Sequence, residues 1–198
     1  MTATTIDERK DALRHEAFAR RDALPAAMRQ TAAEALAEGP FPVPVPAGVT
    51  VSGYSPMRSE FNPLPLMRRL EQDGARLALP VVQRRGQPLT MRAWAFGAPL
   101  GRGVWGIREP LPDAPEVFPD ILLVPLAAFD RAGQRVGYGA GYYDRTIARL
   151  RAMKPVVAIG LAFSVQEVSE VAVTDRDEPL DLVLTEREII DLRGTRAS

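Results

Sequence analysis

The order strand, glycine-rich turn, helix constrains this chain most. The apolar run Ile121-Leu-Leu-Val-Pro-Leu126 is followed by Gly137-Tyr-Gly-Ala-Gly-Tyr-Tyr-Asp-Arg145, and then by Ile147, Leu150 and Met153 at helical spacing. A returning strand at Val156-Val-Ala-Ile159 closes a βαβ unit, whose two strands must be parallel. Three glycines at alternate positions let the backbone reach positive φ and bring N–H groups close to a ligand. The helix that follows would aim its N-terminus at an anion, although glycine alternation also serves tight turns that bind nothing.

The remaining elements fit one pattern. A surface helix runs from Asp7 to about Leu24, and a second from Pro25 to Glu38, ended by Gly39. Proline at alternate positions makes residues 39–48 an extended connector. Val49 to Tyr54 reads as a strand, Asn62-Pro63 opens a helix running to Asp73, and Arg76 to Leu79 returns as a parallel strand. Thr90 to Phe96 is a further strand, residues 97–119 read as mostly irregular, and Leu182 to Leu184 is a last strand before a short polar tail. The expected fold is α/β: one domain over residues 1–198, an open, mainly parallel sheet with helices on both faces. Ligands of such sheets sit beyond the carboxyl ends of strands, where Ser55 to Glu60 and Ala127 to Tyr143 fall.

Composition narrows the chemistry. Twenty-five acidic and 25 basic residues balance, which gives no reason to expect nucleic acid or an anionic membrane as partner. The chain has no cysteine, excluding disulfides, thiolate metal sites and a cysteine nucleophile. The single histidine, His15, lies in a charged helix and reads as surface, so neither a histidine cage nor a triad is available. The start shows no signal pattern and no apolar run approaches membrane-spanning length, so the expected setting is cytoplasmic. Only Lys10 and Lys154 are lysine among the basic residues, so lysine can be a choice for phosphate at one of them or simply a surface remnant.

The turn at 137–143 matches neither the dinucleotide fingerprint nor the Walker pattern. What it offers is a nest of N–H groups between Arg135 and Asp144, the parts a nucleotide with magnesium needs. Asp144 and Arg145 are also compatible with an exposed first helical turn. The cluster Asp175-Arg-Asp177-Glu178, with Asp181 beyond it, can add a metal ligand or be a solvated turn. Glu60 can recognise a donor-rich heterocycle, but by itself reads as an ordinary surface glutamate.

Taken together, several stretches resemble the 5-formyltetrahydrofolate cyclo-ligase (methenyltetrahydrofolate synthetase) family. They are Lys10-x-x-x-Arg14, Tyr54-Ser-Pro-Met-x-x-Glu60, Leu79-Pro80, Gly106-Ile-x-Glu-Pro110, the run from Leu123 to Arg145, and Asp177 four residues before Asp181. The resemblance implies ATP-dependent closure of 5-formyltetrahydrofolate to 5,10-methenyltetrahydrofolate, with release of ADP and phosphate and a requirement for Mg2+. By position it implies that Lys10, Arg14, Arg135, Val136, Gly137, Tyr138, Gly139, Ala140, Gly141, Tyr142 and Tyr143 bind ATP, with Arg135 and Lys10 acting in catalysis. It implies Glu60 and Tyr142 for folate and Asp144 and Asp177 for magnesium, with Asp181 as the rival of Asp177. Asn62-Pro63 and Ala140 depart from the family pattern beside the two pockets. The expected partners are ATP and 5-formyltetrahydrofolate, and the expected state is a monomer. Two other classes remain open on the residues alone: a folate or nucleotide binder without turnover, and a sugar-phosphate isomerase that ignores ATP.

Overall fold

The computed structural model describes residues 5–196; Met1 to Thr4, where the expected absence of a signal pattern begins, and the last two residues lie outside the description. Helix α1 (Ile6–Asp22) starts at a capping box in which Glu8 N–H donates to the Thr5 hydroxyl while Thr5 N–H donates to the Glu8 carboxylate at 2.8 Å. Helix α2 (Ala26–Glu38) follows Pro25, whose fixed φ suits the position before a helix. The proline-rich connector carries no regular element and leads into β1 (Thr50–Ser52). Then come α3 (Leu64–Gln72), β2 (Arg76–Val81) and β3 (Thr90–Trp94). Asn62 acts at the α3 entry as its position suggested, its side-chain oxygen accepting from Leu64 N–H at 3.1 Å.

Two segments expected to be irregular hold small hairpins. Strands β4 (Leu100–Arg102) and β5 (Arg108–Pro110) pair antiparallel, as do β7 (Ala128–Phe129) and β8 (Arg135–Val136), which follow β6 (Ile121–Pro125). Their strands are two or three residues long and include glycine and proline, too short for alternation to show. Helix α4 (Tyr142–Met153), β9 (Val157–Leu161), β10 (Leu182–Leu184) and β11 (Ile189–Asp191) complete the chain. The expected polar tail therefore contributes β11, an antiparallel edge strand whose central Ile190 is buried between exposed neighbours.

Seven strands form one sheet in the order β11-β10-β9-β6-β1-β2-β3. The five inner strands run parallel and both edges antiparallel, the α/β arrangement the sequence implied. Successive residues of β6 face opposite sides: Ile121 and Leu123 join the core under α2 and α3, while Leu122 and Val124 meet Ile147 and Leu150 of α4. Leu150 is 3 % exposed, so Leu150→Ala should cost ~2–5 kcal/mol from lost transfer energy plus a cavity. From β1 the chain moves outward to β2 and β3, then returns to the other side of β1 for β6, β9, β10 and β11. The strand order reverses between β1 and β6, and a crevice opens beyond the carboxyl ends of such a pair.

Candidate active site

A cavity of about 340 Å³ occupies that crevice. Its wall comes from the loops after β1, β2 and β6, from the β4–β5 hairpin and from the turn that opens α4. Apolar and aromatic side chains make most of it, including Val82, Leu89, Ile107 and Tyr142. Among these stand Glu60, Arg135 and Asp144. A mostly apolar cleft with a few converging charged groups is the usual form of a small-molecule site.

The glycine turn is open toward ligand chemistry. Gly139 (φ +92°) and Gly141 (φ +63°) adopt the left-handed region, and Gly141 caps α4 without a side-chain partner. Carbonyl oxygens of the turn face arginines: Arg14 Nε donates to Gly137 O at 2.8 Å, and the Arg145 guanidinium donates to Ala140 O. Between Gly137 and Asp144 no main-chain N–H donates to another of the described residues, and those of Tyr142, Tyr143 and Asp144 form the positive end of the α4 dipole.

Arg135 stands at the centre. Its side chain is 3 % exposed, donates through Nη2 to Asp144 Oδ1 at 2.7 Å, and donates through Nη1 to the Glu178 carbonyl. Asp144 Oδ1 also accepts Glu178 N–H at 3.2 Å, which brings the 175–178 segment beside the first turn of α4. There Asp177 Oδ2 accepts from Lys10 Nζ at 2.5 Å and from Thr174 N–H at 2.6 Å. Burial works to raise the Asp177 carboxyl, but the Lys10 and Thr174 bonds outweigh it and hold the group below the usual range. Asp144 and Asp177 each bind protein donors through one oxygen and keep the second without a protein partner among the described residues. Two such oxygens from neighbouring segments fit magnesium, which needs only one or two carboxylates beside water and phosphate.

Asp181 is placed elsewhere. Its Oδ2 accepts from Arg151 Nη2 at 2.9 Å and from Ala158 N–H at 2.7 Å, fastening the end of α4 to the start of β9. That is the amino edge of the parallel strands, whereas the crevice lies at their carboxyl ends. Lys154 is equally remote, paired with Asp120 at 2.7 Å, and His15 is exposed on α1.

At the other end of the cavity Glu60 is 7 % exposed, which overturns its reading as an ordinary surface glutamate. Met57 N–H donates to Glu60 Oε2 at 2.7 Å. Burial pushes the Glu60 carboxyl up, against the pull of Tyr138, Met57 and Arg21. The side chain of Tyr138 turns back to α1, its hydroxyl accepting from Arg21 Nη1 at 2.9 Å and its ring 5.2 Å from that of Phe18, although its backbone belongs to the glycine turn. Trp105, absent from the sequence-derived set, sits at φ +59° and 67 % exposed on the β4–β5 hairpin. Its ring faces Tyr142 edge-on, centroids 6.2 Å apart, across the cavity. Arg21 is also new: it is buried at the end of α1, and its role depends on contacts that no local motif announces.

An α/β domain with a mostly apolar cavity at the carboxyl ends of its strands, lined by a glycine turn and by Glu60, Arg135 and Asp144, belongs to the class of α/β proteins built to take a small molecule. The comparisons with known proteins agree. The family model described as "5-formyltetrahydrofolate cyclo-ligase family" matches residues 6–186, and the chain belongs to that family. It is 35 % identical to the 5-formyltetrahydrofolate cyclo-ligase of Mycolicibacterium smegmatis over 193 residues, covering 93 % of this chain and 97 % of that one. It is 33 % identical to the enzyme of that name in Escherichia coli over 152 residues, 74 % and 82 % of the two chains. The solved structure of Aquifex aeolicus 5,10-methenyltetrahydrofolate synthetase superposes with a TM-score of 0.78 at 28 % identity, covering 96 % of this chain and 95 % of that one. The chain is accordingly an enzyme of one-carbon metabolism that closes 5-formyltetrahydrofolate to 5,10-methenyltetrahydrofolate with ATP as co-substrate.

Proposed function

We propose that residues 135–144, with Lys10 and Arg14 of α1, hold the triphosphate of ATP, and that Glu60, Tyr142 and Trp105 hold the folate, so that the γ-phosphoryl group meets the formyl oxygen inside one cavity. A formamide oxygen is a poor leaving group. In this reading it attacks the γ-phosphorus, ADP departs, the neighbouring folate amine attacks the activated carbon, and phosphate leaves with the former formyl oxygen and the amine proton. The free N–H groups from Gly137 to Asp144 and the Arg135 guanidinium neutralise charge on the transferring group, and the enclosed site makes these contacts stronger than they are in water. Lys10 and Arg14 steady the phosphate chain from α1. Glu60 accepts from ring N–H groups of the pterin, while Tyr142 and Trp105 cover its faces. Asp144 and Asp177 would hold magnesium, which when bound would offset the charge of the phosphate groups.

The observation that carries this reading is the single cavity shared by Glu60 and the glycine turn. No helix among the described residues is long and apolar enough to cross a membrane. The test is isotopic: 5-formyltetrahydrofolate labelled with oxygen-18 on the formyl group should give labelled inorganic phosphate in equal amount to methenyl product. Unlabelled phosphate would rule out transfer to the formyl oxygen.

A further inference from the structure

We propose that Glu109 is a further catalytic residue, the base that takes the proton from the folate amine as that nitrogen closes the ring. This role rests on the reading of the cavity as the place where folate is activated, and it completes the closing step.

The β4–β5 hairpin reaches the cavity through one face of its second strand. Ile107 and Glu109 line the cavity, while Arg108 between them and Pro110 after them do not, the alternation that follows when successive side chains of a strand leave on opposite sides. Trp105, at the tip of the same hairpin, lines it too. Three carboxylates of the described residues border the cavity: Glu60, Asp144 and Glu109. They are not alike. Glu60 accepts from Met57 N–H, and Asp144 accepts from Arg135 and from Glu178 N–H, whereas Glu109 forms no hydrogen bond or ion pair with any described residue. A half-buried carboxylate in a mostly apolar wall gives up water without gaining a protein donor. A donor on the ligand would supply what the protein does not.

The chain also makes room for this group. A Cβ on Gly103 would overlap both carboxylate oxygens of Glu109. Gly103 lies at φ −91°, which any residue can adopt, so its backbone conformation does not call for glycine. The missing side chain is accounted for by the carboxylate lying across it.

Ring closure leaves a proton to be placed. The attacking amine carries one N–H in 5-formyltetrahydrofolate and none in the methenyl product. As the N–C bond forms, the nitrogen becomes positively charged, and its lone pair can expel phosphate only once the proton is gone. Arg135 has no acceptor to offer. In the proposed step the Glu109 carboxylate takes the proton, the nitrogen lone pair drives out phosphate as the C–O bond breaks, and Glu109 returns the proton to the departing phosphate. Atoms and charge balance without another reagent.

The test is rapid-quench kinetics of Glu109→Gln with ATP labelled on the γ-phosphate, following ADP and methenyl product through the first turnover. Glutamine can accept a hydrogen bond but cannot hold the proton. ADP should therefore form near the wild-type rate, while methenyl product lags by about a hundredfold or more and label accumulates on folate. Formate should restore closure in Glu109→Ala. Gly103→Ala should slow closure with little change in melting temperature, because only the flexible end of Glu109 has to move. Wild-type closure in Glu109→Gln, ADP and methenyl product slowed together, or no rescue by formate would overturn the proposal. Should Glu109→Gln not fold, unchanged closure in Gly103→Ala overturns it instead. Unlabelled phosphate in the oxygen-18 experiment would remove the underlying reading, whereas labelled phosphate with normal closure in Glu109→Gln rejects the base alone.

Discussion

Lys10 Nζ lies 2.5 Å from Asp177 Oδ2, a salt bridge between residues 167 positions apart that ties the first helix to the segment before the last parallel strand. The lysine proposed for phosphate and the aspartate proposed for magnesium thus form an ion pair. Replacing Lys10 with methionine should raise KM for ATP by about tenfold or more while leaving KM for folate near its original value. Steady-state kinetics with each substrate varied in turn checks the split.

The same pair sets an acid dependence. Because the Asp177 carboxyl is held below its ordinary value, its contribution to stability is complete above the unfolded value of roughly 3.9 and is lost as pH falls through the lower folded one. Lys10→Met lacks much of that contribution at neutral pH. Its melting temperature should therefore lie below wild type near pH 6, with the gap closing toward pH 2.5 in a thermal-melt series.

Asp144→Asn and Asp177→Asn should each raise the Mg2+ concentration needed for half-maximal turnover, and EDTA should stop product formation in the wild type. Arg135→Ala should reduce kcat by about a hundredfold, the usual loss when one transition-state donor is removed. It should also destabilise the fold, because Asp144 and the Glu178 carbonyl lose a buried partner. A melt recorded beside the methenyl absorbance assay separates the two effects.

Trp105 should behave differently. At 67 % exposure it contributes little to the core, so Trp105→Ala should keep the melting temperature within about 1–2 °C. Folate KM should rise severalfold through loss of one face of the aromatic clamp, with ATP KM unchanged. Normal folate kinetics in this variant would remove Trp105 from the site.

Much of this was readable in advance. The parallel strands, the helix after the glycine turn and the cap-like role of Asn62 follow from apolar runs and local chemistry, which act over a few residues. The hairpins β4–β5 and β7–β8 were not, since strands of two or three residues are fixed by tertiary pairing rather than by pattern. That the segment from Arg135 to Asp144 lines the crevice was legible, but the burial of Glu60 was not, because it depends on residues such as Arg21 and Tyr138 arriving from distant elements. Helix α1 held a signal that was passed over. Lys10, Arg14 and Arg21 share the inward stripe with Leu13 and Ala17, so three cations point at the protein rather than at water.

The most direct test of the central claim is a map of main-chain amide shifts when nitrogen-15 labelled protein is titrated with magnesium and a non-hydrolysable ATP analogue. The largest changes should fall on residues 137–144, with a second group around Lys10 and Arg14. Saturable binding that leaves those amides unmoved and shifts another surface would contradict the assignment of the glycine turn to the triphosphate.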